Sequence, residues 1–176
     1  YAWDDSNNND WTKASLNSAL NNDLFWNNLG EWQNMVATTT WHLGGMDSFN
    51  YTAKEFYNGE RNNAGYGSNL TTYTDEIGLM YVSDYGYAAS PVNWSTTLRN
   101  YASATDNNWL YLGDREWTIT PRSSNSSIVF RVNNNGTLDI YNANYGYSAR
   151  PSLYLKSNVY VVKGNGTLND PYIIGM

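Results

Sequence analysis

Aromatic rings set beside amide side chains are the groups in this sequence best suited to chemistry. Asn108-Trp109, Tyr141-Asn142, Asn144-Tyr145 and Tyr147 place flat apolar faces next to hydrogen-bonding groups. A sugar ring calls for that pairing, because its C–H face stacks on an aromatic while its hydroxyls need donors and acceptors. Residues 123–127 and 141–147 flank a predicted hairpin and are expected to form one exposed patch. The ligand-binding candidates there are Ser123, Asn125, Ser126, Arg131, Asp139, Tyr141, Asn142, Asn144 and Tyr145. Tyr, Ser, Gly and Asn are also the residues that antibody paratopes favour. Trp109 and Trp117 are expected in the core, which leaves Tyr141 and Tyr145 as the exposed rings.

Catalytic chemistry has fewer means. A Ser-His-Asp triad would have to use His42, the single histidine, which sits in Trp41-His42-Leu43-Gly44-Gly45. A packed or turn-bonded histidine is the expectation there, and the sequence holds no G-x-S-x-G elbow. The carboxylates Asp75, Glu76, Asp84, Asp114 and Glu116 have no spacing that forces two of them across a cleft, as a glycosidase requires. Zero Cys excludes disulfides and thiolate metal sites. The oxygen-rich runs Asp4-Asp5, Asn7 to Asp10 and Asp106 to Asn108 offer calcium ligands, yet the first lacks the glycine and terminal Glu of an EF-hand. Solvated loops are expected there, with no cofactor and no catalysis.

The elements that must position these groups can be read most firmly around the hairpin. With Asn134, Asn135 and Gly136 as a three-residue loop, Val132 faces Leu138, Phe130 faces Ile140 and Arg131 faces Asp139. One face is then apolar, and the other carries Val129, Arg131, Asp139 and Tyr141. Upstream, Asp10 is expected to cap a helix carrying Ala14, Leu16, Ala19 and Leu20, with a second short segment from Leu24 to Leu29. A strand is expected from Met35 to Leu43, and the capping box Thr52-Ala53-Lys54-Glu55 opens a helix to about Arg61. Asn62 to Thr74 reads as polar loop, Ile77 to Val82 as a buried strand, after which Ser83-Asp84 cap a turn or short helix, and Trp94 to Tyr101 as helix. Short strands follow Trp109, including one from Gly164 to Ile174.

The composition agrees with a loop-rich, aromatic-cored domain. The 176 residues include 16 Tyr, 8 Trp and 27 Asn, enough chain for a single domain with a real core. A net charge of −6 and singly scattered Lys and Arg argue against nucleic acid and anionic membranes as partners. No apolar run has the length of a membrane span, so membrane insertion by this segment is not expected.

The phrases "WTITP", "IVFRVNNNG", "ARPSLYL" and "GNGTLNDPYII", with "IGLMYVSDYGYA" from Ile77 to Ala88, resemble a family of uncharacterised surface and pilin-associated domains of gut Firmicutes-type bacteria. That resemblance covers nearly the whole chain. The order of elements, helices first and a strand-rich half after them, points to an α+β fold with a twisted, mainly antiparallel sheet and short helices in the N-terminal half. The resemblance implies a topology similar to the C-type-lectin-like and formylglycine-generating-enzyme fold. It also implies display at the cell surface or on pili. Formylglycine-type oxidation relies on cysteine, which this sequence lacks. The family pattern carries one or two strands ahead of the position matching Tyr1-Ala2-Trp3-Asp4, so the domain is expected to lack them, through trimming or because a neighbouring chain supplies one. The resulting expectation is a non-catalytic, extracellular, adhesin-like module whose ligand is a glycan or a host surface protein. The alternative is a structural subunit of an extracellular filament, assembled by contacts between copies.

Overall fold

The computed structural model describes residues 1–176, apart from the side chain of Leu24. In chain order the elements are α1 (Ser15–Asn21), α2 (Leu24–Asn28), β1 (Thr39–His42), α3 (Ala53–Asn62), β2 (Thr72–Asp75), β3 (Ile77–Leu79), α4 (Val82–Tyr87), β4 (Glu116–Pro121), β5 (Ile128–Val132), β6 (Leu138–Asn142), β7 (Pro151–Leu153), β8 (Tyr160–Lys163) and β9 (Ile173–Gly175). Tight 3₁₀ turns lie at Trp11–Lys13, Gly30–Met35, Pro91–Asn93 and Leu98–Asn107. The fold is mixed α/β, with few helices and several small antiparallel sheets. Its strands pair as β1–β2, β3–β7, β4–β5–β6 and β8–β9, in place of one continuous sheet.

The β5–β6 hairpin has the expected register: Val132 opposes Leu138, Arg131 opposes Asp139 and Phe130 opposes Ile140. Asn133 closes the loop on Thr137 by a 2.8 Å main-chain bond, and Gly136 takes the left-handed conformation at φ 82°. Space also demands glycine there, since a Cβ would overlap the Thr105 methyl group. The face that carries Val129 and Arg131 is not a polar surface. It is covered, because β4 sets Trp117 opposite Arg131 and a second aromatic cluster packs on that side.

The three-stranded sheet thus divides two cores. On one side lie Trp3, Trp11, Leu16, Leu20, Trp41, Ile77, Leu79, Trp117, Ile119 and Val129. On the other, Phe130, Val132 and Leu138 pack with Phe56 of α3, Val82 and Tyr85 of α4, Leu98 and Tyr101. The Thr52–Glu55 capping box forms as expected, and α3 ends at Asn62.

Other boundaries move for identifiable reasons. Asp10 caps the separate turn Trp11–Lys13, accepting from Thr12 N, and α1 begins after it. The strand expected from Met35 is shorter, because Gly30–Met35 forms a 3₁₀ turn, Val36 makes only an isolated bridge to Leu155, and the ladder runs from Thr39 to His42. Its partner, β2, rises out of the expected polar loop, where the β-branched Thr72 and Thr74 flank Tyr73. β3 stops at Leu79, since Tyr81 becomes an N-cap whose N–H donates to Asp84 Oδ2 at 3.1 Å. The expected helix from Trp94 is displaced to Pro91–Asn93 and Leu98–Asn107. Gly164 and Gly166 both have positive φ, so the expected strand from Gly164 is mostly loop. Among the described residues, no helix is long and apolar enough to cross a membrane.

Glu60 ties α3 to both α4 and β4. It accepts from Thr120 Oγ1 at 2.7 Å, Ser83 Oγ at 2.5 Å and Ser83 N at 3.2 Å, with Arg61 3.6 Å away. Burial pushes its carboxyl from about 4.5 up to about 7, against the pull of those donors. The folded chain therefore holds this proton more tightly than the unfolded chain. Its contribution to stability is largest below about pH 4.5 and declines as pH rises to about 7. Glu60→Gln is expected to flatten that part of a Tm-versus-pH curve. Gly136→Ala is expected to lower unfolding free energy by about 2 kcal/mol, read by urea denaturation; an unchanged midpoint would contradict the steric account of the turn.

Candidate functional site

The loop after the turn Leu98–Asn107 presents the most exposed indole of the chain. Asn108 is buried: its Nδ2 donates to Tyr85 O at 2.9 Å and its Oδ1 accepts from Leu110 N at 3.0 Å. Leu110 O accepts from Arg150 Nη2 at 2.7 Å, and Tyr111 OH donates to Asn134 O at 2.7 Å. Arg150 is fixed in turn by a two-pronged pair with Glu116, both contacts at 2.7 Å. Residues on both sides of Trp109 are thereby pinned, and Trp109 itself stands 77% exposed. This corrects the expected core position: Asn108 and Leu110 turn inward, so the residue between them turns out. Trp117, by contrast, is fully enclosed, as expected.

Trp109 forms one wall of a cleft of about 360 Å³, with Tyr87, Asp84, Leu110 and Ser152 among its other walls. Tyr87 meets Trp94 edge to face at 5.1 Å, and Trp94 Nε1 donates to Ala89 O at 3.0 Å. Three partly exposed aromatics, a carboxylate and a hydroxyl therefore share one surface. The sequence carried a signal for this site in the Asn108-Trp109 pair; Tyr87, Asp84 and Ser152 were not legible as its neighbours.

Most residues singled out from sequence lie at the open end of the hairpin, with the Arg131–Asp139 pair nearer its turn. Tyr141 stacks edge-on against Tyr145 at 4.6 Å and Tyr147 at 5.6 Å, and Tyr147 meets Trp117 at 4.9 Å. Arg131 is enclosed beneath this ladder at 5% exposure, its guanidinium 4.4 Å from the Tyr141 ring and 4.3 Å from the Tyr147 ring. It pairs with Asp139 at 2.9 Å. Its Nε and Nη1 have no hydrogen-bond partner, so the ring faces supply the compensating attraction. Arg131 and Asp139 are thus internal supports, and Tyr145 at 49% exposure is the accessible ring.

Asn144 is exposed, and its N–H reaches Asn7 Oδ1 at 3.4 Å. Asn142 ends β6 opposite Ile128. Asn125 turns inward on its own loop, accepting from Ser127 N and Oγ, while Ser126 O accepts from Asn9 N and Ser123 N donates to Met46 O. The two loops meet through Ala143 N and Ser127 O at 2.8 Å, with residues 7–9 linking both. Beside the tyrosine ladder lies a broader cleft of about 700 Å³ that includes Tyr1, Tyr147, Asp114 and Arg115.

The remaining candidates have local roles. His42 ends β1, its main-chain N–H donating to Tyr81 OH at 2.6 Å; among the described residues, no side chain hydrogen-bonds its ring. Asp75 and Glu76 are adjacent, and burial, with Glu76 beside it, raises Asp75 to about 6. Asp84 lines the Trp109 cleft, Asp114 accepts from Ser148 Oγ at 2.5 Å, and Glu116 holds Arg150. In the Asp4–Asp10 run, Asp4 accepts from Asn8 N and Ser15 N, and Asp10 binds Thr12 and Lys13. Among the described residues, no three His, Asp or Glu side chains converge as a metal site.

Comparison of this chain with protein-family models, with curated proteins and with solved structures finds no match. The pinning of the Trp109 loop can be tested by itself. Asn108→Ala, which removes two buried hydrogen bonds, is expected to cost about 2 kcal/mol in urea denaturation. Trp109→Ala is expected to change stability by less than about 0.5 kcal/mol.

Proposed function

We propose that this chain is a non-catalytic extracellular binding domain of adhesin type, displayed on the cell surface or on pili, with a glycan as ligand. The observation that carries the proposal is Trp109, held out into solvent by a loop that is hydrogen-bonded on both sides. A large apolar ring kept uncovered by a rigid backbone is a ready stacking surface. Because the loop is already ordered, a ligand need not supply its ordering free energy. Tyr87 adds a second ring, and the Asp84 carboxylate and Ser152 hydroxyl provide an acceptor and a donor for sugar hydroxyls. The net charge of −6 disfavours polyanionic ligands and leaves neutral sugars unaffected. A C-type-lectin-like topology belongs to the same proposal; the few helices and small antiparallel sheets are in keeping with it.

The test is a glycan array probed with the labelled domain, followed by calorimetry on the glycans retained. Trp109→Ala is expected to weaken binding about tenfold or more, equivalent to about 1.4 kcal/mol, without loss of stability. Tyr145→Ala, measured alongside, reports on the tyrosine ladder. Retention of no glycan, or binding indifferent to Trp109, would overturn the proposal.

A further inference from the structure

The last two strands stand apart from both cores. Among the described residues, none from 144 to 176 is buried. β8 and β9 pair only with each other, Tyr160 opposite Gly175 and Val161 opposite Ile174. Tyr160 and Val162 share one side with Gly175, and Val161 takes the other with Ile174. Both sides are open, with Val161 54% and Val162 55% exposed. An isolated two-stranded hairpin with apolar faces is marginal in water, and gains stability from a further strand or a packed surface.

The root of this hairpin is fixed. Lys156 donates through its N–H to Met35 O at 2.9 Å and through Nζ to Asn34 O at 2.8 Å, while among the described residues none of β8 or β9 packs on either apolar core. The same chain carries an apolar groove of about 390 Å³ walled by Leu16, Ala19 and Leu20 of α1, with Phe25 and Pro151, and with Asp23 on its rim. Asp23 is exposed and makes no capping hydrogen bond to α2. Residues 154–176 hold two of the ten basic residues, Lys156 and Lys163, and one of the sixteen acidic ones, Asp170. The hairpin is therefore a weakly cationic apolar element on an otherwise acidic chain, and the groove is apolar with an acidic edge.

We propose that β8 of one copy seats in the α1–α2–β7 groove of a second copy, with Val162 in the groove and Lys163 facing Asp23. The two surfaces differ, so the contact is heterologous: every copy offers one hairpin and one groove, and association continues head to tail unless it closes into a ring. Opposite charges at the contact offset the repulsion between two chains of net charge −6. This association is independent of the glycan site, since neither Trp109 nor Tyr87 lies in the groove.

Sedimentation velocity over a concentration series tests it with two variants, Val162→Asp in the hairpin and Ala19→Arg in the groove. The unaltered chain is expected to form growing species, and each variant alone to stay monomeric, its dissociation constant raised at least about tenfold. Mixed in equal amounts, the variants are expected to give a dimer and nothing larger, because one retains the groove and the other the hairpin. Thermal unfolding checks that each variant is folded, and Lys163→Asp replaces Val162→Asp if that variant fails to fold. A monomeric unaltered chain, a mixture that stays monomeric, or undiminished association of Ala19→Arg would each overturn the proposal.

Discussion

Burial of both faces of the β4–β5–β6 sheet imposes conditions on every element around it. A strand covered on one side can turn its polar residues to water, but β4 is buried at all six positions. Its polar groups must therefore be satisfied inside. Thr118 Oγ1 donates to Phe130 O at 2.8 Å, Thr120 Oγ1 donates to Glu60, and Thr118 O accepts from Trp3 Nε1 at 3.0 Å. Arg131 finds its partners in Asp139 and two tyrosine rings. The apolar positions pack into the two cores, with Phe130 edge-on to Phe56 at 5.3 Å. Each such ring or aliphatic side chain stabilises the fold by about 1.5–3 kcal/mol through burial. An unpaired polar group in the same place costs a comparable amount, so the polar contacts are as necessary as the apolar ones.

Short sheets create a second need, which explains the asparagines. Four small sheets leave many main-chain groups beyond the ends of their ladders, and these groups must still be paired. An asparagine side chain carries a carbonyl acceptor and an NH2 group with two N–H donors in amide geometry, and so can stand in for a missing strand. Asn21 does so from α1, accepting from Ile77 N at 2.8 Å and donating to Ile77 O at 2.9 Å. Asn9 donates to the carbonyls of Arg122, Asn125 and Ile128. Asn108 performs the same service for Tyr85 and Leu110, and Trp109 is presented as a result.

What could be read from the sequence was local. The β5–β6 register follows from alternation and a three-residue loop, and the α3 cap from four adjacent residues; each depends on neighbours in the chain. What could not be read depends on distant partners. The outward turn of Trp109 requires that Asn108 find Tyr85 O, 23 residues away. The face of β5 expected to be polar is closed by Trp117 from another strand. Of the site residues inferred from sequence, Tyr141, Tyr145, Arg131 and Asp139 do gather into one unit, because the hairpin brings them together. Arg131 is nevertheless enclosed, and Trp117 from β4 with the rings of Tyr141 and Tyr147 together decide that. The apolar content of β8 gave no sign that its faces would remain uncovered.

The two cores also differ in the order in which they can be completed. The one containing Phe56, Tyr85 and Phe130 draws its buried members from Met46 to Leu138, a continuous middle stretch of the chain. The other needs Trp3 and Trp11 to meet Trp117 and Ala143, and its margin is sewn by main-chain bonds between Tyr1 and Tyr147. Closing so long a loop is slow, because entropy is lost before the contacts that compensate for it have formed. On a ribosome, the first tryptophans emerge long before their partners and must wait with their rings in water. Contact topology alone therefore favours completing the middle core first, with Trp3 and Trp11 the buried rings that depend on the most distant partners.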